Sequence, residues 1–330
     1  MRVCIISEQS YAGKVPDDSK NLRVEHGWMK LLDAPHIPYS FINESDDLSF
    51  LDDFELVIFI PSKSVPDYLK LIPYVIENTD CKTALMQEGP VYFWQDWSIP
   101  HQSLYLSLIR NGVDLILTHN TEDRKFFKGI TITPVLTLPT VNHTLSWNDY
   151  VFNHDKKDES VFVGGNFTSW YNGISSFLVA SNNQDIERIT LPSMGRKPIG
   201  EEEFVKQFDK EVTHLPYMSW DEFMKNLATH KYAIHLIPTY AAGSFSLNSA
   251  MLGIPCIGPE HDDTQRLCFP ELSINPHDNL RANFLLNRLI NDKQFYDKCR
   301  QKALAARKLF DIDTNREIII DNIKKSLELE

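Results

Sequence analysis

The feature that most constrains the fold is a regular alternation of short apolar runs with longer helical stretches along the whole chain. This alternation predicts parallel α/β sheets, because parallel strands need helical crossovers and are covered on both faces. In the first half, the predicted strands are residues 2–7, 39–42, 55–60, 82–86, 113–118 and 133–138. In the second half, they are residues 160–163, 188–191, 232–237, 255–257 and 272–274.

The 330 residues are too many for one ordinary core and predict two domains. A polar, charged stretch at residues 146–158 separates the two strand series. We therefore predict two Rossmann-like, doubly wound domains at residues 1–147 and 158–310, facing a cleft. Residues 311–330 form a last predicted helix that packs back on the first domain.

The charge, the cysteines and the missing motifs exclude or disfavour several classes of protein. The formal net charge is −12 and no run of Lys and Arg is longer than two residues, which disfavours nucleic acid as a partner. Five scattered cysteines without a C-x-x-C spacing indicate a reducing compartment, so a cytoplasmic protein is expected. No apolar run approaches the roughly 18 residues that a transmembrane helix needs. A dinucleotide fingerprint and a Walker lysine motif are both missing.

The stretch GSFSLNSAMLGIPCIG, residues 243–258, places small residues at the start of a predicted helix. The free amides and the dipole at such a helix start suit a phosphate group. Small residues also let a helix pack closely on a sheet, and the stretch alone does not separate these two interpretations.

The same stretch resembles the donor-binding segment of GT-B glycosyltransferases, in which a helix of the form L-E-A-M-A-x-G-x-P-V-I grips a nucleotide sugar. VFVGGNF, residues 161–167, resembles the first strand and Gly loop of the C-terminal domain in that family. NGVDLILTHNTEDRKFFKGI, residues 111–130, resembles the end of its N-terminal domain. The resemblance implies a GT-B fold with an N-terminal acceptor domain and a C-terminal nucleotide-sugar domain. Predicted donor-binding residues are Gly165, Asn166, Thr168, Arg196, Tyr217, Gly243, Ser244, Phe245, Ser246 and Asn248.

Two departures from the family pattern bear on catalysis. Retaining enzymes of this family usually carry two glutamates eight residues apart, and here Tyr240 and Asn248 occupy those positions. KTALMQEGPVYF, residues 82–93, is similar instead to a strand of the DNA β-glucosyltransferases of T-even phages, whose catalytic carboxylate would correspond to Glu88. The arginines that those enzymes carry after the Gly loop are missing here.

Catalytic candidates are Glu88, which directly follows an apolar strand, then Asp96 and His26. A general base must lie within hydrogen-bond reach of the acceptor hydroxyl, and a strand end facing the cleft provides such a place. Tyr11, Trp94 and Trp97 are candidates for acceptor binding, because aromatic faces stack on sugars or bases. Ordinary turn capping and core packing remain alternatives for Glu88 and for the two tryptophans.

The expected activity is transfer of a hexosyl or pentosyl group from a UDP- or GDP-sugar to an acceptor hydroxyl. No tightly bound cofactor and no metal are expected, since the spacing of His and Asp matches no metal motif. A glycan, lipid or small molecule is favoured over nucleic acid as acceptor. Two alternatives stay open: a phage-type enzyme acting on hydroxymethylated DNA bases, and a degenerate nucleotide- or sugar-binding protein.

Overall fold

The computed structural model describes residues 1–8, 24–43, 47–63, 65–150, 158–193 and 199–329. The chain forms two compact units, one of residues 1–142 with 312–330 and one of residues 143–311. The predicted roles of acceptor domain and nucleotide-sugar domain for these units stay predictions. All five cysteines lie in the described ranges, and none of them forms a disulfide.

The first unit is built on a six-stranded parallel sheet with the order β2-β1-β3-β4-β5-β6. The strands β1, β3 and β5 are fully buried and β4 is buried except at Lys82, as expected for a sheet covered by helices on both faces. From β1, the chain adds β2 on one side and β3 to β6 on the other side, so the switch point of the sheet lies between β1 and β3. The strands are β1 Val3–Ser7, β2 His36–Pro38, β3 Leu56–Phe59, β4 Lys82–Gln87, β5 Leu115–Thr118 and β6 Val135–Thr137.

In the described part of this unit, four α-helices cross over between these strands. The backbone of α1 packs against the chain at Val141 so closely that a Cβ on Gly27 would lie 2.4 Å from the Val141 carbonyl oxygen. Asn120 caps α4 by accepting a hydrogen bond from the Asp123 amide. The helices are α1 Val24–Leu32, α2 Leu71–Asn78, α3 Ile99–Ser107 and α4 Thr121–Lys128.

The second unit has a parallel sheet with the order β12-β11-β10-β7-β8-β9. This is the strand order of the dinucleotide-binding Rossmann sheet, with its switch point between β7 and β10. The strands are β7 Ser160–Val163, β8 Arg188–Pro192, β9 Glu211–Leu215, β10 Tyr232–Ile234, β11 Cys256–Pro259 and β12 Ser273–Ile274.

Among the described residues of this unit, seven α-helices surround the sheet and share one apolar core with it. Ser219 and Glu222 form a capping box at the start of α7, which fixes where that helix begins. Trp147, before the first strand of the unit, is buried against Trp220 with ring centroids 5.3 Å apart. The helices are α5 Gly173–Ser181, α6 Glu201–Val205, α7 Trp220–Leu227, α8 Ser244–Leu252, α9 Asp263–Cys268, α10 Asn279–Asn291 and α11 Lys293–Ala306.

The last helix, α12 Ile312–Ser326, belongs to the first unit. Its buried side chains Ile312 and Ile323 join the core cluster that covers one face of the first sheet. The Arg316 guanidinium donates a 2.8 Å hydrogen bond to the Lys30 carbonyl of α1. The prediction that the C-terminal helix packs back on the first domain, and the predicted α/β fold class of two doubly wound sheets, are confirmed.

Two local predictions are corrected. Residues 39–42 are not a strand, because the edge strand ends at Pro38 and Tyr39–Phe41 form a 3-10 turn. Tyr39 turns inward there and stacks on Tyr68 at a centroid distance of 5.1 Å. The predicted strand at residues 232–237 is shorter and ends at Ile234, so His235 is the first residue after it. The strand β9 and the short helices α6 and α9 were not predicted.

Candidate functional site

The switch point of the second sheet brings two strand ends into close contact. Val163 pairs with Ile234, so Gly164 leaves β7 directly beside His235 at the end of β10. A Cβ on Gly164 would lie 2.5 Å from the His235 ring, which explains why this position has no side chain. Crevices at the carboxyl ends of strands around such a switch point are the usual ligand sites of doubly wound sheets.

The loop from Gly164 to Asn172 is held by its own side chains. The Asn166 amide group donates to the Ser193 carbonyl at 3.1 Å, and its oxygen accepts from the Thr168 hydroxyl at 2.7 Å. The Asn172 amide donates to the Leu236 carbonyl at 3.0 Å and so ties this loop to the chain that follows β10. The side chains of Asn166 and Thr168 therefore build the predicted donor loop, and its backbone is the part that lies at the switch point.

Helix α8 begins beside this loop without a side-chain cap among the described residues. The first intrahelical bond runs from the Leu247 amide to the Gly243 carbonyl, which leaves the amides of Ser244, Phe245 and Ser246 outside the helical ladder. Gly243 has a positive φ of 75°, and a Cβ there would lie 1.8 Å from the Thr264 hydroxyl. The geometry suits an anion at these amides.

Three predicted donor residues on α8 use their side chains inside the unit. Phe245 packs on Phe162 with ring centroids 6.0 Å apart, and the Ser246 hydroxyl donates to Gln265 at 2.8 Å. The Asn248 oxygen accepts from the Trp220 indole at 3.3 Å. A ligand at the start of α8 would therefore meet backbone amides rather than these three side chains.

Asp262 is a buried carboxyl group next to Gly243. Its Oδ1 accepts from the Thr264 amide at 3.1 Å and from the Thr264 hydroxyl at 2.9 Å. Its Oδ2 has no hydrogen-bond partner among the residues that the structure describes. Burial raises the pKa of Asp262 to about 7, so this carboxyl changes charge near neutral pH.

In the first unit, Glu88 directly follows β4, as predicted, and forms an ion pair with Lys63. Lys63 follows β3, and its ammonium group lies over Gly89, where a Cβ would be 2.7 Å away. Gly89 has a φ of 86°, a conformation that glycine adopts without strain. The strand ends of this sheet therefore hold a carboxylate and an ammonium group together.

A buried polar network fixes the turn at Glu88. The Gly89 amide donates to Nε2 of His119 at 3.0 Å, and the Gln87 amide donates to the Gly89 carbonyl at 3.2 Å. The Tyr105 hydroxyl donates to the Gln87 oxygen. Burial lowers the pKa of His119 to about 4, so its ring is neutral at physiological pH.

The remaining candidates of the first unit have different surroundings. Asp96 is exposed at the end of a 3-10 turn, and His26 is half-buried on α1. Trp94 and Trp97 are each 8% exposed and pack around Tyr105 with ring centroids 5.5 and 5.6 Å from it. Their faces are used in the core, so we leave both out of the proposed site.

Tyr217 is exposed after β9, whereas Tyr11 and Arg196 lie outside the described residues. Within the described ranges, no cluster of three His, Cys, Asp or Glu side chains could hold a metal ion. No described helix is long and apolar enough to cross a membrane.

Sequence reasoning missed Lys63, His119, Asn172 and His235. Three of them lie one to four residues past the end of a buried strand, which is the same signal that singled out Glu88. Asn172 could have been found as a residue that tolerates a positive φ, here 49°, just before a helix.

No protein-family model matches the sequence, and no curated protein matches it either. Solved structures do match it over nearly its full length. HepE of Anabaena in complex with UDP is 10% identical, with a TM-score of 0.74 over 98% of this chain and 100% of that chain. The chain has the GT-B fold.

Two other GT-B structures support the same assignment of fold. The α,α-trehalose 6-phosphate synthase of Burkholderia multivorans is 8% identical, with a TM-score of 0.67 over 98% of this chain and 96% of its own. An α-glucosyltransferase in complex with UDP and a 13-mer DNA is 10% identical, with a TM-score of 0.67 over 99% of both chains. At such identities the likeness establishes the fold alone.

Proposed function

We propose that this GT-B chain is a glycosyltransferase that uses a nucleotide-activated sugar. The observation that carries the proposal is the uncapped start of α8 beside the Gly164–Gly165 backbone at the switch point of a Rossmann-ordered sheet. The amides from Ser244 onward would bind the diphosphate of the donor. Negative charge develops on that diphosphate during transfer, so fixed amide dipoles there lower the barrier.

Glu88 is the general base in this proposal. In its ion pair with Lys63 it is a carboxylate, the form that accepts a proton from an acceptor hydroxyl. The network around Gly89 holds it at a strand end, where doubly wound sheets bind ligands. The first unit would then bind the acceptor and the second unit the donor.

The similar structures guide the choice of donor. HepE was solved with UDP, with UDP and glucose, and with UDP-glucose. We therefore propose a UDP-sugar, with UDP-glucose as the first compound to test, ahead of GDP-sugars and pentosyl donors. A glycan, lipid or small molecule is the proposed acceptor class, since the net charge of −12 opposes a polyanion.

Ligand protection followed by a hydrolysis assay tests this function. UDP, GDP and their glucose conjugates are titrated against thermal unfolding, and release of free nucleotide is then measured for the conjugate that binds. The proposal expects binding, slow hydrolysis and at least a tenfold loss of rate in Glu88→Gln, with Asp53→Asn on the surface as a matched control. Binding with no turnover would leave the degenerate binding protein as the better description, and Asp96→Asn tests the second candidate base.

A second candidate function is glycosylation of hydroxymethylated DNA. The α-glucosyltransferase solved with UDP and DNA matches this chain over 99% of both lengths. This match supports DNA glycosylation as a second candidate function. Duplex DNA with and without hydroxymethylated bases is titrated at low salt. Binding that weakens steeply with added salt supports the candidate, and no binding at low salt removes it.

A further inference from the structure

His235 is a buried side chain that the proposed function has not yet used. It is 6% exposed, lies against Gly164, and its ring centroid is 5.0 Å from that of Phe245 at the start of α8. Neither Nδ1 nor Nε2 has a hydrogen-bond partner among the described residues. The ring therefore lies beside Gly164 and the start of α8, which are the two backbone elements of the proposed donor site. Its two nitrogens make no hydrogen bond within the described residues.

His230, another buried histidine among the described residues of this unit, shows the contacts of a structural histidine. Nδ1 of His230 lies 2.9 Å from the Asn226 carbonyl oxygen, and its Nε2 lies 2.7 Å from the Thr190 hydroxyl. A buried polar atom without a partner is destabilising, yet His235 at the switch point has no partner among the described residues, whereas His230 has two. Buried polar groups that find no partner within a chain are commonly satisfied by water or a ligand.

A second unsatisfied atom lies at the same helix start. Oδ2 of Asp262 has no partner in the described part of the chain, and Oδ1 of the same carboxyl approaches Gly243, the residue before α8. His235 and Asp262 come from the ends of neighbouring strands, β10 and β11, so the sheet itself brings them to this helix. Two independent side chains thus point to a missing polar partner near the uncapped amides.

We propose that His235 is a donor-site residue that hydrogen-bonds a hydroxyl group of the sugar in the nucleotide sugar. The proposal rests on the proposed function, because the sugar is the part of the donor that adjoins the diphosphate. Through this hydrogen bond, His235 would give the chain a higher affinity for a nucleotide sugar than for the bare nucleotide.

The hydrogen-bonding groups of the neutral His235 ring suit a hydroxyl group better than a phosphate group. Burial lowers the pKa of His235 to about 3, so the ring is neutral and offers one N–H donor and one lone pair. A phosphate oxygen could accept from the N–H, but it has no proton to donate to the lone pair on the other ring nitrogen, and it gains nothing from a positive charge. A sugar hydroxyl can donate as well as accept, and it also suits the carboxyl of Asp262.

Calorimetric titration of the full chain with UDP and with UDP-glucose tests the inference in the wild type, His235→Phe and His235→Asn. Loss of one hydrogen bond predicts about tenfold weaker binding of UDP-glucose to His235→Phe. The affinity for UDP should change less than about twofold, and His235→Asn, which retains a donor and an acceptor, should recover part of the loss. Equal affinity changes for UDP and UDP-glucose, or none, would overturn the role of His235.

A second measurement covers variants that fail to fold. In the wild type, the ring nitrogens of 15N-histidine are observed by NMR with UDP and then with UDP-glucose. The buried, neutral ring of His235 should shift with UDP-glucose and stay in place with UDP, and a ring that ignores both ligands contradicts the inference. If the wild type binds none of the four UDP and GDP probes, the proposed function itself fails, and the inference falls with it.

Discussion

The backbone N–H of Gly89 donates a 3.0 Å hydrogen bond to Nε2 of His119. The strand register makes this contact possible, because Gln87 at the end of β4 pairs with Thr118 at the end of β5. A backbone N–H can only donate, so Nε2 accepts this hydrogen bond with its lone pair, while Nδ1 lies 3.0 Å from the Asn120 side-chain nitrogen. Oδ2 of Asp123 lies 3.5 Å from that Nδ1. If Glu88 is the base that we propose, His119 acts on it through the Gly89 backbone, as a positioning residue.

Replacing His119 tests this role. Gln places an acceptor oxygen near the position of Nε2, whereas Leu removes it and leaves the Gly89 amide without a buried partner. We expect His119→Leu to lower the hydrolysis or transfer rate by tenfold or more and His119→Gln to stay within a few-fold of the wild type. Nucleotide affinity should be unchanged in both, because the proposed donor site lies in the other unit. Equal rates for folded His119→Leu and the wild type would contradict the positioning role.

The fold could be predicted from the sequence because parallel strands buried on both faces leave a periodic signal. The position of Glu88 was predictable for the same reason, since the apolar run of β4 ends just before it. The GT-B resemblance, carried by short segments in the right order, agrees with the solved structures.

The partners of the site residues were not predictable in this way. Which side chain meets Glu88 or Gly89 depends on strand register between segments 25 to 30 residues apart. For Trp94 and Trp97, an aromatic pair near a carboxylate suggests a sugar site in sequence, and the structure shows both rings packed around Tyr105. Neither the partners of Glu88 and Gly89 nor the packing of the two tryptophans follows from the local sequence pattern.

Gly243→Ala should damage the start of α8. The new Cβ would lie 1.8 Å from the Thr264 hydroxyl and 2.3 Å from Oδ1 of Asp262, and φ is 75°. We expect a loss of unfolding free energy well above the roughly 1 kcal/mol that a positive φ alone costs, together with loss of nucleotide binding. Gly200→Ala is the matched control, since its φ is 81° and no atom of the described residues lies within 4 Å of the Cβ position. Urea unfolding of both variants measures the two losses of unfolding free energy. Equal losses in Gly243→Ala and Gly200→Ala would argue against the steric explanation.

Asp262 should make stability depend on pH. Its pKa is raised from 3.8 to about 7 by burial, so the folded state holds a proton that the unfolded state releases in this range. Its contribution to stability is therefore present below about pH 4 and is lost as pH rises to about 7. The difference between the two values corresponds to about 4 kcal/mol.

Asp262→Asn keeps an acceptor for Thr264 and removes the titration. In urea unfolding, we expect the free energy of unfolding of the variant to rise relative to that of the wild type between pH 4.5 and about 7 and then to level off. The comparison must be made as a difference at each pH, because burial lowers the pKa values of His119 and His235 and these change stability in the opposite direction as pH rises. A constant difference between variant and wild type across this range would refute the assignment, and the exposed Asp53→Asn serves as control.

The C-terminal helix should stabilise the first unit through one face only. Ile323 is 1% exposed and joins the core cluster of the first sheet, whereas Ile318 on the same helix is 59% exposed. Truncating a buried Ile to Ala costs about 2–5 kcal/mol, and an exposed one costs within about 0.5 kcal/mol.

Hydrogen exchange locates this effect within the chain. Because α12 belongs to the first unit, Ile323→Ala should speed exchange of the β1 and β3 amides and leave those of β7 and β10 unchanged. Ile318→Ala should change neither set. Faster exchange in both units of Ile323→Ala would mean that the two open together, so that the buried contacts of α12 stabilise the whole chain rather than the sheet they cover.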